Sequence, residues 1–416
     1  MTQKWDYLVS DEALEGLVRE YCNDFTALER QGRYPPITGR DNEIDDCILI
    51  LLQRGRKNCC LLAPAGVGKT AAVVGLAQRI VAETVPNYLK NARVLEVDLA
   101  RMASGTASRA EFQARLMPFC KGVAERYHDP DHPRYILFID EIHQIMPSCV
   151  GSSYAGMSDT MKPYLTAGDL LVMGATTLDE YRLHVEHDPA LDRRFQKVFL
   201  KIPSTDETYH IMKGLRPSHE KHHKVTVSNY LLMLIVRLTD EHMRKRNQPD
   251  KSIITMDSAM AYHVREHGVG TELSVESIYH MVGRETKLNK NALHDDKKLE
   301  EIYKRVDIIE GAREADEADK DTGPYDPAAK LKNVEMDQAY QRQVEKEAAK
   351  DKELLNLSLK AQQDKTGTIS TEQKLAELTA KIEKKLEEKV EKKLEEKVGE
   401  KIGEKIGEKI KGKDQL

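Results

Sequence analysis

The stretch CCLLAPAGVGKT, residues 59–70, decides the reading of this chain. Cys59 to Ala63 is a short apolar run ending at a turn, the pattern of a buried parallel strand. Gly66 and Gly68 let the following backbone curl and aim its N–H groups at an anion. Lys69 supplies a point charge for phosphates and Thr70 a hydroxyl suited to Mg²⁺. A helix starting there points its positive end at the same anion. Pro64, Ala65, Gly66, Val67, Gly68, Lys69, Thr70 and Ala71 are therefore the expected cradle for ATP and Mg²⁺. Ala63 stands where the usual pattern has its first glycine, a small replacement.

A Gly-rich turn before a helix can also arise by chance. The run ILFIDE at 136–141 argues against that. Four apolar residues precede two acids, so the carboxylates sit at the end of a central strand instead of in a solvated turn. Asp140 is expected to hold Mg²⁺ through water, and Glu141 to polarise an attacking water.

Outward from these motifs, apolar strand-like runs (LLAP, VLEVDL, ILFID, LLVMGATT, VFLKI) alternate with amphipathic helical ones from residue 36 to 203. That alternation predicts an α/β fold with a parallel five-stranded sheet flanked by helices. Residues 1–35 read as a helical lead-in, 204–268 as a small all-helical domain, and 269–311 as a mixed connector. The acidic, turn-rich segment 312–330 reads as a linker, and 331–416 as a charged helical tail. The chain has 416 residues, 40% hydrophobic and 32% charged, with a net charge of −5. Nothing in that balance favours nucleic acid. Six cysteines without a C-x-x-C pair read as reduced core residues of a cytoplasmic protein. No apolar run reaches the length of a membrane span, and MTQKWDYL lacks a signal peptide's apolar stretch.

The chain resembles the first ATPase ring of the Clp disaggregase and unfoldase group of AAA+ proteins, ClpB-type members above all. The text that carries the resemblance is PPITGRDNEIDD, APAGVGKTAAVVGLAQRIV, ILFIDEIH, MKPYLTAGDL, GATTLDEYR and PALDRRFQKVFLKIP, continuing in LRPSHEKHH and QPDKSI. It covers residues 16–268. The resemblance implies an AAA+ module with a helical lid. It implies that Thr177 senses the γ-phosphate or attacking water, and that Pro36 and Ile37 flank the adenine. Arg193 and Arg194 match paired arginines that reach a neighbouring subunit's site, where guanidinium groups neutralise charge on the transferred phosphoryl group. A surface ion pair is the plainer reading of those two. If they act in trans, the enzyme is a homo-hexameric ring working on a protein substrate or complex. His219, His222 and His223 could suggest zinc or nickel. Related proteins carry a similar stretch without metal, and none is expected here.

Three departures qualify that expectation. In SGTASRAEF, 104–112, Ser108 falls where Clp rings place the aromatic residue that grips substrate, so threading is doubtful. Tyr154 is an alternative gripping residue, or an ordinary loop tyrosine. The family's N-terminal substrate domain, inserted coiled coil and second phosphate loop have no counterpart in this text. Residues 273–317 resemble only the start of a second module, which suggests a single ring. In the tail, apolar residues recur every fourth position from Leu378 to Ile410. Each step of four overshoots a helical turn by about 40°, so no heptad seam is specified. The GEKI repeats from Gly399 place like charges at i,i+4, costing roughly 0.2–0.5 kcal/mol per pair, and the tail reads as a docking segment or a frayed repeat. The two functional expectations are an ATP-hydrolysing remodelling ring and a nucleotide-dependent assembly switch whose tail recruits a partner.

Overall fold

The computed structural model describes residues 7–106, 108–149 and 154–320; the tail expectations lie outside these described residues. Six strands form one sheet: β1 (Cys22–Asp24), β2 (Asn58–Leu62), β3 (Arg93–Val97), β4 (Tyr135–Ile139), β5 (Leu171–Thr176) and β6 (Phe195–Phe199). Their order is β1-β3-β4-β5-β2-β6. The five expected strands, β2 to β6, run parallel. The sixth, β1, pairs antiparallel with β3 at the edge and comes from the lead-in that reads as helical alone. That lead-in does form helices, Asp11–Tyr21 and Phe25–Arg30. Between them Cys22 takes extended backbone, and Arg93 of β3 pairs with both Glu15 and Asp24 to fix the edge.

Side chains alternate across the pleat, so the continuous apolar strands feed two cores. Cys60, Leu62, Leu95, Leu137 and Val172 join Leu14, Phe119 and Leu165 from helices on one face. Cys59, Leu61, Val94, Ile136 and Met173 join Ile44, Val73 and Leu76 on the other. All six cysteines are free, and all but Cys149 are buried.

Beyond β6 the chain becomes helical. A capping box of Ser204 and Glu207 starts the helix Thr205–His223. Helices Asn229–His242 and Asp250–His267 follow. The segment 269–311, expected as a connector, contributes Leu273, Ile278, Val282, Leu293, Ile302 and Ile309 to the same core as Tyr209, Leu232 and Met260. Glu310 accepts from the Tyr209 hydroxyl at 2.7 Å and pairs with Lys213. The helix Asp296–Lys320 also runs into the stretch that reads as a linker, because Ala, Arg and Glu at 312–318 are good helix formers whatever their net charge. Among the described residues, no helix is long and apolar enough to cross a membrane.

Candidate nucleotide site

The loop after β2 is shaped for an anion. Gly66 and Gly68 have φ of 78° and 102°, a region strained for any side chain. Gly68 caps the helix Lys69–Val81 without a side-chain hydrogen bond, so the first N–H groups of that helix lack the usual side-chain partner. Such a helix start fits a phosphate group. Lys69 is 8% exposed, and its Nζ donates to Ala63 O at 3.1 Å.

Two residues without an assigned role in the sequence reading hold this loop and its flank. Arg40 is 5% exposed. Its Nη2 donates to Val67 O at 2.8 Å, its Nη1 to Lys201 O at 3.1 Å, and it pairs with Glu43 at 2.9 Å. Gln78 clamps the segment before it: Oε1 accepts from Ile37 N at 3.0 Å, and Nε2 donates to Pro35 O at 2.9 Å. The signal for Gln78 was a lone amide in the apolar run VVGLAQRIV; Arg40 had none beyond its place in TGRDNE.

The helical domain closes the other side. Asn247 Nδ2 donates to Ala65 O at 3.0 Å, and Asp250 N to Gly66 O at 3.3 Å. The resulting cleft, about 360 Å³, is lined by Pro36, Ile37, Thr38, Arg40, Ala65 to Ala71, Asp140 and Glu141, and on the lid side by Ile211, Leu215, Pro249, Asp250 and Ile253. It has the size of a small-ligand site. Of the expected cofactor residues, Pro64 alone lies outside this lining and is exposed. The lid contributors lacked a motif because single apolar residues on helices look like core in any sequence.

Asp140 follows β4 and accepts from Glu141 N at 2.9 Å. Glu141 is left-handed, with φ 49° and ψ 47°. Gly174 of β5 makes room for the segment after it, since a Cβ there would lie 2.7 Å from Ile142 Cδ1. Burial, and then the charge of Asp140, push the Glu141 carboxyl above its usual range, with Lys69 opposing. A more basic carboxylate suits proton acceptance from water.

The remaining expected residues stand apart from the cleft. The Thr177 hydroxyl donates to Glu180 Oε2 at 2.8 Å and accepts from Glu180 N at 3.3 Å, completing a capping box for the short helix Leu178–Glu180. Arg193 is exposed, and Arg194 carries a buried Nε without a hydrogen-bond partner. Neither lines the cleft of its own chain. Ser108 caps the helix Arg109–Glu125, its hydroxyl accepting from Glu111 N at 3.3 Å. Tyr154 packs against Phe112, with ring centroids 6.3 Å apart, at the margin of the core. His219 Nδ1 meets Leu215 O at 3.1 Å and His223 Nε2 meets Asp257 at 2.8 Å, so these two rings are engaged by their own surroundings.

Residues 59–201 match the ATPase family associated with various cellular activities, and residues 204–307 match the AAA lid domain. A chloroplastic chaperone protein ClpB2 from Oryza sativa is 43% identical over 242 residues, 58% of this chain and 24% of that relative. A chaperone protein ClpB from Aquifex aeolicus is 43% identical over 234 residues, 56% of this chain and 23% of the relative. A solved S. cerevisiae Hsp104:casein complex superposes with a TM-score of 0.58 at 34% identity, covering 65% of this chain and 45% of that one. The chain thus spans about a quarter of the length of these curated relatives. With a phosphate loop, a paired-acid strand and a lid all in register with those matches, this chain belongs to the Clp-type AAA+ ATPases, and its module resembles the first nucleotide-binding domain of ClpB.

Proposed function

We propose that the cleft binds ATP with Mg²⁺ and hydrolyses it, in a ring of six like subunits, to remodel a protein substrate or protein complex. The observation that carries this reading is the convergence of Lys69, Thr70, Asp140 and Glu141 on one cleft closed by the lid. When bound, Mg²⁺ would offset the charge of the phosphate oxygens; Thr70 and Asp140 would hold it. The uncapped N–H groups at the helix start and Lys69 bind the phosphates. Pro36 and Ile37, with Ile211 and Leu215 opposite, give the apolar slot for a base. Glu141 orients water and takes its proton, and Thr177, whose hydroxyl Glu180 holds, turns from it to sense the phosphate. Arg193 and Arg194, outside their own chain's cleft, are available to a neighbour's. The Hsp104 structure with casein supports a protein substrate for this chain. Free buried cysteines favour a reducing compartment, the cytoplasm in our reading.

The substitution Glu141→Gln should lower turnover by about 10³-fold or more while preserving nucleotide binding and ring assembly. Normal hydrolysis by that variant, measured as phosphate release, would remove Glu141 from the role of base.

A second reading, the nucleotide-dependent assembly switch, is favoured by Ser108, which offers a helix cap where a gripping ring is expected. Unfolding of a tagged model protein separates the two. A remodeller unfolds it with ATP, whereas a switch only changes its oligomeric state.

A further inference from the structure

We propose that His143 is the positioning residue for Glu141, its ring fixed by an N–H bond to Thr176 and its edge set against that carboxylate. The inference rests on Glu141 acting as the base. His143 lies on the short turn Ile142–Ile145 that follows the acids. Its Nδ1 is 2.8 Å from Thr176 Oγ1, 3.4 Å from Glu141 Oε2 and 3.5 Å from Glu180 Oε2.

The proton order along this row follows from its neighbours. Glu180 Oε2 already accepts from Thr177 N at 3.1 Å and Thr177 Oγ1 at 2.8 Å. A carboxylate receiving those donors is an acceptor. The 2.9 Å contact between Thr176 Oγ1 and the same oxygen therefore uses the threonine's only proton. Thr176 can then only accept from His143, so Nδ1 carries the hydrogen. That N–H is bonded to Thr176, and Glu141 Oε2 sits beside the same edge of the ring. Thr176 is wholly buried and His143 is 9% exposed, so water does not compete for these groups. The His184 ring stacks on His143 at 5.8 Å and 23°, restraining it from the far side.

Of the three oxygens around Nδ1, only the threonine's takes the hydrogen bond. The bond to Thr176 fixes the ring, and the fixed ring limits where the Glu141 carboxylate can turn. Thr177 and Thr176 share the Glu180 oxygen, so rotation of Thr177 toward a phosphate removes one of three donors there. The remaining Thr176–Glu180 bond then tightens, and with it the His143–Thr176 bond, because linked hydrogen bonds polarise one another. Phosphate contact at Thr177 thereby firms the ring beside Glu141, which lies on a different strand's loop. His143 never needs to touch substrate.

The test compares His143→Ala with His143→Asn in the full chain, since the asparagine amide restores a donor near Nδ1 without the ring. Steady-state ATP hydrolysis gives kcat and KM, and a fluorescent ATP analogue gives affinity without turnover. His143→Ala should lower kcat about 10- to 100-fold, with KM and analogue affinity within about twofold. His143→Asn should recover most of that loss. Equal losses in both variants would mean packing alone, and a rise in KM at constant kcat would mean binding; either overturns the proposal. A His143→Ala enzyme matching the wild type overturns it too, and if Glu141→Gln still abolishes turnover, the base assignment survives that failure. Should His143→Ala not fold, Thr176→Val against Thr176→Ser asks the same question: the serine should retain turnover and the valine lose it, and equal behaviour again overturns the inference.

Discussion

The nucleotide cleft and the segment around Ser108 are built by opposite means. In the cleft, residues distant in sequence hold one another: Arg40 ties Val67 to Lys201, Gln78 clamps Pro35 and Ile37, and Asn247 reaches Ala65 from the lid. Around Ser108 the chain satisfies itself locally. Thr106 Oγ1 donates to Ala103 O at 2.7 Å, Ser108 takes Glu111 N, and Arg115 donates to Met102 O and Ser104 O at 2.9 and 2.7 Å. Long-range fastening fixes a site to within the tolerance that phosphate chemistry needs. Local fastening gives a shaped loop without committing it to a ligand.

The largest expected break in this contrast is at Arg40. Arg40→Met leaves Val67 O and Glu43 without their buried partner, and losing one side of such a pair costs about 3–5 kcal/mol. Thermal unfolding with and without ATP should show a lower Tm and a weakened stabilisation by nucleotide. Gly66→Ala comes next. A Cβ there would lie 2.8 Å from Asp250 Cβ, at a φ costing roughly 1–2 kcal/mol for alanine. Because the obstacle is the base of a side chain, the lid must shift, and ATP affinity should fall with it; unchanged affinity would show that the lid contact is dispensable. Ser108→Ala should cost only about 1 kcal/mol, the worth of an N-cap, and leave ATP affinity unchanged. A loss of affinity there would join the two regions and break the contrast.

The smallest effect concerns the other end of the same helix. Arg126 is buried and hydrogen-bonds Asp11, whose carboxyl it holds below the usual range, helped by His132. A depressed carboxyl stabilises the fold above its unfolded value, and that stability is lost as pH falls through the folded one. Leu8 and Val9 N–H groups, which donate to Glu125 at 3.1 and 3.2 Å, should therefore lose hydrogen-exchange protection in acid before the β-sheet amides do.

Much of the cleft was legible because phosphate binding demands glycines, a lysine and a hydroxyl consecutively in the chain. The parallel strands were legible because burial on both faces writes continuous apolar runs. What escaped notice was whatever depends on distant partners. Cys22 to Asp24 is too short to announce a strand, and becomes one only beside Arg93 and β3. Residues 273–309 look charged and connector-like, yet 273–282 and 293–309 each place several apolar residues in the lid core. His143 and Glu180 stand inside motifs read for their neighbours, and their role emerges only when β4 and β5 lie side by side.

The strand order acts as a ruler. The phosphate loop leaves β2 and the acids leave β4, with β5 between them. Neighbouring strands are about 4.8 Å apart, so the two carriers are separated by roughly 10 Å, the span of a phosphate group and a metal ion together. Adjacent carriers would leave no gap, and carriers three strands apart would leave one too wide to bridge. The intervening strand ends at Thr176, with Thr177 next, so the residues best placed to feel what fills the gap are those at its midpoint.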